Sequence, residues 1–259
     1  MNLNLAGHFA PLVTPFTDGG ETVSEVRLAR LVRHLKRNGI AGFVVCSNTG
    51  EFTTVTTSER KTVLEIVLRE SGGLPVLAHC TRIGTLQTLD LVRHAAEKGA
   101  RAAVVMPPYF GMYSDEEIEG HIRSIVAHAG LPIILLDPQH CVRANARERL
   151  SNLPNLCYAE GMEQTFHARY GVYPAGPGSD EFVVDNAIVS PMIQLVPSAC
   201  NSDADLKPLS NLLARHGRAR VGKAALNEME VEVGPPRPPA LPLGPEHRLE
   251  LVSVLRAYL

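Results

Sequence analysis

The sequence has no tryptophan, and its aromatic residues make up only 5% of 259 residues. The five cysteines are widely spaced and form no CxxC pair, so we interpret them as reduced core thiols of a cytoplasmic protein. No run of about 18 apolar residues is present, which argues against a membrane span. The first residues lack the basic and apolar segments of a signal peptide.

A strong charge of one sign is also absent. The net charge of −2 and a pI near 6.6 give no reason to expect nucleic acid or an anionic membrane surface as partner. Apolar residues at 45% and charged residues at 20% are ordinary values for a globular protein and suffice for a sizeable core. The length fits one large α/β barrel or two smaller domains.

Short β-branched runs alternate with longer amphipathic segments along the chain. Residues 24–39 show the helical period, with apolar side chains at Val26, Leu28, Leu31, Val32 and Leu35. Capping boxes are predicted at Thr56, at Ser114 and, in a weaker form, at Asn145. The runs predicted as strands are 8–16, 42–47, 75–80, 102–108, 132–137, 156–161, 172–176 and 192–199.

Eight strand–helix alternations in this length predict an α/β fold, a (β/α)8 or TIM barrel. We expect residues 1–217 to form the barrel and residues 218–259 a helical extension packed on it, within a single domain. A doubly wound open sheet is the alternative, but no segment resembles its glycine-rich phosphate turn.

The segments at the carboxyl ends of the predicted strands, where such a barrel carries its active site, form an ordered series of motifs. They read APLVTPF (10–16), SNTGEF with TSER (47–52, 57–60), PVLAHCTRIGT (75–85), VVMPPYF (104–110), LPIILLDP (131–138), LPNLCYAE (153–160) and GKAALNEMEVEVGPPRPPALPL (222–243). Over nearly the whole chain they resemble the dihydrodipicolinate synthase / N-acetylneuraminate lyase family, most specifically in SNTGEFxxxxxxER. The stretch between Ser198 and Gly222 is shorter than the family's.

The resemblance implies a (β/α)8 barrel that assembles as a homodimer or homotetramer. It also implies class I aldolase-type chemistry, in which a lysine ending strand six forms a Schiff base with pyruvate or a related 2-oxo acid. A tyrosine ending strand five relays protons, helped by a hydroxyl of the GTTGE loop and a tyrosine of a neighbouring subunit.

Nearly every proton-handling position of that pattern is replaced in this sequence. The lysine position falls on Glu160, the tyrosine position on Leu136 and the first loop threonine on Asn48, although Thr49 remains. The neighbour-subunit tyrosine, the second of the family's PPYY, becomes Phe110, although Tyr109 remains.

The replacements predict that no Schiff base forms with pyruvate. Glu160 has no primary amine, and its charge would lie beside the carboxylate of a 2-oxo acid. Lys223 matches a lysine that the family carries in its C-terminal helical region, outside the Schiff-base position. The other lysines are predicted on helix surfaces or in helix-flanking turns: Lys36, Lys61, Lys98 and Lys207.

Three roles remain open for Glu160. It is a partly solvated polar residue paired with a hydroxyl or Arg143, a general acid/base with a burial-raised pKa, or a metal ligand with Asp137, His79 or His140. His79 either fills volume or faces the cavity as a base or ligand. Asn48 and Thr49 are the best donors left for a carboxylate, and Tyr109, Asp137 and Arg143 complete the predicted ligand-binding set.

Two functions are compatible with this pattern. One is a divergent barrel of lyase ancestry that binds a small polar or carboxylate-bearing molecule at the strand ends. The alternative is a lysine-independent lyase or hydrolase that uses Glu160 as general acid/base. We expect no cofactor and assign no metal site.

Overall fold

The computed structural model describes residues 3–138, 140–161, 182–200 and 205–258. Its strands are β1 (Ala6–Pro11), β2 (Gly42–Val45), β3 (Val76–His79), β4 (Ala102–Val105), β5 (Ile133–Leu135), β6 (Leu156–Tyr158), β7 (Glu160–Gly161), β8 (Phe182–Val184) and β9 (Asn186–Val189). Its helices are α1 (Glu25–Arg37), α2 (Thr57–Ser71), α3 (Thr85–Lys98), α4 (Asp115–His128), α5 (Ala144–Ser151), α6 (Met192–Leu195), α7 (Pro197–Cys200), α8 (Lys207–His216), α9 (Arg218–Glu228) and α10 (Pro245–Leu255).

The strands form a near-closed barrel. Strands β1 to β6 pair in chain order and in parallel, and β1 also pairs in parallel with β9. Strand β8 pairs with β9 on one side and with β7 on the other. Because β7 continues β6 after Ala159, β6 and β7 together supply one barrel position. The predicted (β/α)8 barrel is confirmed as an eight-strand arrangement with alternating helices.

Two details of the predicted strand set are wrong. Residues 192–199 form the short helices α6 and α7, and the last barrel strand is β9. Strand β8 runs antiparallel to both of its neighbours, so the strands are not all parallel. A short apolar run fits a buried strand and a buried helix equally well, which is why 192–199 misled the prediction. The strand predicted at 172–176 lies outside the described residues.

Alternating side chains divide the core into two layers. Phe9, Val44, Leu77, Val104 and Ile134 belong to the barrel interior and are each fully buried. The residues between them along each strand point outward and pack against the helices, because successive strand residues face opposite sides. The barrel centre is therefore a packed apolar core, and polar chemistry is left to the strand ends.

Helix starts follow the predicted capping chemistry in two cases of three. Thr56 and Ser114 form complete capping boxes at α2 and α4. The box predicted at Asn145 is wrong, because α5 already begins at Ala144, with Arg143 as its N-cap and no side-chain cap bond. On α1 the predicted apolar face is buried except for Val26, which is 62% exposed.

The C-terminal part contains α9, a proline-rich link over residues 229–244, and α10. Of the described helices, none combines the length and apolar character that a membrane crossing requires.

Candidate functional site

Leu136 and Glu160 lie at neighbouring strand ends, as predicted. Leu136 directly follows β5, is buried, and belongs to the barrel-interior cluster with Met106 and Ala159. Glu160 opens β7, where its backbone pairs with Val183. Since β5 pairs with β6 and β7 continues β6, the two positions are adjacent in the barrel. The roles predicted for the Glu160 side chain lie outside the described part of the structure.

His79 ends β3 and is buried beside an aromatic ring. Its imidazole lies edge-on to Phe52, with ring centroids 4.9 Å apart. The Thr81 hydroxyl accepts a hydrogen bond from the backbone N–H of Met106 (2.9 Å), and therefore has its own proton to donate to His79 Nε2 at 3.2 Å. Burial, helped by the positive charge of Arg60, lowers the pKa of His79 to about 3. A neutral, packed imidazole favours the volume-filling interpretation.

The buried Arg60 was missed as a contributor to this region, although it closes the SNTGEFxxxxxxER motif. It donates to the carbonyl oxygens of Thr81 (2.9 Å) and His79, and its guanidinium lies 5.7 Å from the centre of the Phe52 ring. Burial lowers the pKa of Arg60. Arg60 thus fixes the carboxyl end of β3 by binding its backbone.

Cys46 and Cys80 are both buried near Arg60, as expected for core thiols. Burial raises the pKa of Cys46 to about 11 and that of Cys80 to about 12. Both therefore remain neutral thiols at pH 7, and neither has the thiolate character that nucleophilic cysteines need.

The SNTGEF loop places its polar side chains in different environments. Thr49 is fully buried, whereas Asn48 is exposed and borders a cleft at the surface. Between Thr49 and Glu51, the Gly50 carbonyl accepts a hydrogen bond from the Thr14 hydroxyl (2.7 Å). A side chain at Gly50 would meet the Leu12 carbonyl oxygen at 3.0 Å, so this close approach requires glycine. The two predicted carboxylate-binding donors are therefore not equally accessible.

Glu51 joins this loop to the C-terminal helices. Its carboxylate lies 2.6 Å from Lys223 Nζ, and both side chains are at least nine-tenths buried. It also accepts a hydrogen bond from the backbone N–H of Arg237 (2.8 Å). Lys223 donates to the Pro235 carbonyl (2.9 Å) and lies 4.0 Å from the centre of the Phe16 ring. Burial lowers the pKa of Lys223 to about 8 against the opposing effect of Glu51.

Arg237 extends the same network to the start of α2. It forms two hydrogen bonds to the Glu59 carboxylate, at 2.9 and 2.7 Å, and its guanidinium lies 4.1 Å from the centre of the Phe16 ring. These hydrogen bonds are the largest cause of the low pKa of Glu59, about 2. We call the five residues Glu51, Glu59, Lys223, Arg237 and Phe16 the ionic seam.

Asp137 and Arg143, which were predicted as ligand-binding residues, have protein partners in their own surroundings. The Asp137 carboxylate accepts hydrogen bonds from the backbone N–H groups of Cys141 and Val142, each at 2.9 Å. Arg143 is exposed and lies 3.3 Å from Asp115. These contacts organise the loop between β5 and α5.

Tyr109 is half-buried and packs against the interior cluster and edge-on to Phe52, with ring centroids 5.5 Å apart. In the described ranges, no group of three or more histidine, cysteine, aspartate or glutamate residues is placed to hold a metal ion. Of the predicted ligand-binding set, His79 and Tyr109 share Phe52 as neighbour, whereas Asp137 and Arg143 are engaged elsewhere.

Comparison with known proteins places these observations in a family context. The model of the Dihydrodipicolinate synthetase family matches residues 4–157. A 4-hydroxy-tetrahydrodipicolinate synthase of Mycolicibacterium paratuberculosis is 26% identical over 279 residues, which cover 95% of this chain and 92% of that relative. Another, from Methanothrix thermoacetophila, is 34% identical over 154 residues, and this match spans only about half of the relative (52%) and 58% of this chain.

Solved structures of low sequence identity share the fold. The dihydrodipicolinate synthase of Thermotoga maritima superposes with a TM-score of 0.81 at 23% identity, covering 98% of each chain. The N-acetylneuraminate lyase of Proteus mirabilis gives a TM-score of 0.78 at 21% identity, covering 98% of this chain and 99% of the other.

Proposed function

Because this chain belongs to the dihydrodipicolinate synthetase family, we propose that it is a divergent member that forms no Schiff base with pyruvate. It retains the family's lyase fold and binds a small polar or carboxylate-bearing molecule at the carboxyl ends of the barrel strands. The observation that carries the proposal is the location of the lysines.

The sequence contains five lysines, and within the described residues all of them lie on helices rather than on strands. Lys36 on α1 donates to the backbone carbonyl of Glu70 on α2. Lys61 on α2 pairs with Asp90 on α3, and Lys98 on α3 pairs with Glu65 on α2. Lys207 begins α8, and Lys223 is on α9. A Schiff base requires an amine within bonding distance of a carbonyl held in the site. These positions do not supply one at the strand ends.

Lys223 is the lysine whose chemistry comes closest to the requirement, because its pKa of about 8 makes the free amine accessible near neutral pH. Its surroundings argue against the role. Glu51, the Pro235 carbonyl and the Phe16 ring already surround Nζ at 2.6, 2.9 and 4.0 Å. A carbonyl substrate would have to displace this buried ion pair.

The two positions that correspond to the catalytic lysine and tyrosine support the same proposal. Leu136 offers no hydroxyl and packs within the barrel interior. A carboxylate at position 160 repels the carboxylate of a 2-oxo acid and so disfavours pyruvate in this pocket.

A lysine-independent lyase or hydrolase with Glu160 as general acid/base is the second candidate. The observation that favours it is the apolar character of the neighbouring strand ends, where Leu136 and Ala159 are buried. Apolar surroundings raise the pKa of a carboxyl group into the range useful for proton transfer. This candidate predicts that Glu160→Gln abolishes turnover while ligand binding persists.

The test of the first proposal is reductive trapping. Incubation of the protein with pyruvate and borohydride should add no mass to the intact chain, and the double variant Glu160→Lys/Leu136→Tyr should show weak trapping. An amine without a proton relay stalls at the carbinolamine, so neither single variant should trap. An adduct on any lysine of the unaltered chain, located by peptide mapping, would refute the proposal.

We also propose self-association as a homodimer or homotetramer. Phe110 and Met112, in the loop after β4, are 75% and 99% exposed, and large exposed apolar side chains near one another are typical of an interaction surface. Light scattering of the unaltered chain and of Phe110→Ser/Met112→Ser tests this. Equal masses for both would contradict a role for this loop.

A further inference from the structure

One buried histidine, His121 on α4, belongs neither to the strand-end site nor to the ionic seam. Helix α4 buries Ile118, Ile122 and Ile125, and His121 takes the remaining position of this buried face. The residue is only 6% exposed. A histidine has an ordinary pKa of 6.5, and its protonated form is costly to bury. This position is therefore one where acid can disturb the packing of α4.

His121 binds the first residue of the neighbouring helix. Helices α3 and α4 pack against each other, and the Thr85 hydroxyl lies 2.8 Å from His121 Nδ1, a hydrogen-bond distance. Thr85 begins α3, and the N-cap residue Gly84 supplies no side-chain cap bond. The His121–Thr85 bond thus joins the buried face of α4 to the point where the chain enters α3.

The other ring nitrogen of His121, Nε2, is shielded from solvent and has no hydrogen-bond partner among the described residues. A neutral imidazole carries one N–H, which Nδ1 can donate to the Thr85 hydroxyl while Nε2 stays without a proton. A protonated ring carries an N–H at both nitrogens, so Nε2 would bury a charged donor without an acceptor. The contact therefore accommodates the neutral ring and opposes the protonated one.

Within the described residues, no charged side chain offsets the cost of protonating His121. Burial alone lowers the pKa of His121, with no contribution from a neighbouring charge. Charged and titratable groups of the helices packed here are engaged in other ion pairs or hydrogen bonds: Glu117 and Glu119 on α4, Arg149 on α5, and Asp90 and His94 on α3. A proton on His121 would therefore remain uncompensated while the helices stay packed.

The contact between α3 and α4 also lies between two loops of the strand ends. Thr85 follows the turn after β3, and α4 follows the loop over residues 106–114 after β4. The two loops are joined to each other, because the Thr81 hydroxyl accepts a hydrogen bond from the backbone N–H of Met106 (2.9 Å). Movement of α4 away from the start of α3 would therefore reach the strand ends and the exposed Phe110.

We infer that His121 is an acid-sensitive latch, whose protonation opens the contact between α4 and the start of α3 and loosens the loops that lead into both helices. Opening lets water reach Nε2, so the open form holds the proton that the closed form excludes. Acid therefore shifts the population towards the open form between pH 6.5 and the lower pKa of the closed form. The latch involves no ligand and does not depend on the proposed function.

Hydrogen exchange of the full chain tests the latch, followed by mass spectrometry at pH 7 and pH 5 and corrected for the intrinsic effect of pH on exchange. Protection of residues 85–90 and 106–122 should fall about threefold or more with acid, because uptake of one proton permits at most about tenfold per pH unit. Helix α1 is the internal reference and should change less. In His121→Gln, whose amide does not titrate, both segments should respond to acid only as α1 does. The matched control His128→Gln, at the exposed end of the same helix, should behave like the unaltered chain.

A measurement on the unaltered chain covers the case in which His121→Gln does not fold. The ring signals of His121, assigned by NMR through its own backbone, should not titrate around pH 6.5 and should change only at lower pH, where α3 and α4 also lose protection. A ring that titrates near pH 6.5 while both helices stay protected would overturn the inference. Equal acid responses of His121→Gln and the unaltered chain would overturn it as well.

Discussion

The barrel end around Leu136 and the ionic seam differ in the charge of the side chains that they bury. At the barrel end Leu136 and Ala159 are buried apolar side chains, and the buried His79 has a low pKa and is neutral at pH 7. In the seam, four charged side chains pair with one another around Phe16, and Lys223 and Glu51 do so with almost no solvent exposure.

The difference shows which polar features of the chain serve structure. The most specific part of the family resemblance, SNTGEFxxxxxxER, contributes Glu51 and Glu59 to the seam and Arg60 to the β3 end. None of these contacts requires a substrate. A motif that resembles catalytic sequence can therefore also hold a loop in place through its polar side chains.

Lys223→Met tests whether the ionic seam stabilises the fold, and of the variants considered it should lower the free energy of unfolding the most. The substitution keeps the volume but leaves Glu51 buried without its cation, so the free energy of unfolding should fall by about 3–5 kcal/mol. Urea titration measures it. The control, Lys61→Met, breaks a pair with Asp90 that is 29% and 51% exposed, and should cost about 1 kcal/mol or less.

A double variant distinguishes loss of the ion pair from loss of lysine packing. Lys223→Met/Glu51→Gln removes both charges, so it should be more stable than Lys223→Met alone. Equal losses for Lys223→Met and Lys61→Met would show that the pair contributes no more than a surface contact.

The dependence of stability on pH tests whether His79, at the barrel end, is neutral in the folded chain. His79 has a folded pKa of about 3 against an ordinary value of 6.5, so between these values the unfolded chain binds a proton that the folded chain does not. Stability should therefore fall as pH decreases from 6.5 towards 3. One proton corresponds to about 1.4 kcal/mol per pH unit, or roughly 2 kcal/mol between pH 6.5 and 5.

The variant His79→Gln should lose this part of the acid dependence, whatever its stability at pH 7. The control is His128→Gln on α4, where the ring lies at the surface and its Nδ1 forms a hydrogen bond with the Ser124 carbonyl of its own helix (2.8 Å). Its pH profile should match that of the unaltered chain. Parallel profiles for both variants would show that His79 is accessible to protons in the folded state.

Sequence patterns predicted the barrel because strands β2 to β5 are buried throughout and are separated by amphipathic helices. They failed at 192–199, where length and composition do not separate a buried strand from short helices. They also failed at Asn145, because a capping sequence is useful only where the helix begins, and α5 begins at Ala144.

The site was less predictable than the fold for a physical reason. Asp137 was assigned to a ligand, yet aspartate before a loop commonly binds backbone N–H groups that follow it, as it does here with Cys141 and Val142. The pairing of Glu51 with Lys223 joins residues far apart in sequence, and no local pattern reports it. Spacing finds helix faces and caps, whereas long-range ion pairs depend on the folded chain.

The smallest expected effect comes from two capping boxes of the same local design. Glu59 and Glu117 both occupy the third helical position and bind back to the N-cap residue, but Glu59 also binds Arg237 in the seam. Glu59→Gln should cost about 1 kcal/mol more than Glu117→Gln, because it alone weakens two charge-assisted hydrogen bonds. The pKa of Glu59 is about 2 when folded and 4.5 ordinarily, so its contribution is present above pH 4.5 and is lost towards pH 2. Urea titrations at pH 7 and pH 3 should show the difference between the two variants shrinking with acid. Equal costs at pH 7 would show that the hydrogen bonds from Arg237 add nothing to the stability that Glu59 contributes as a capping residue.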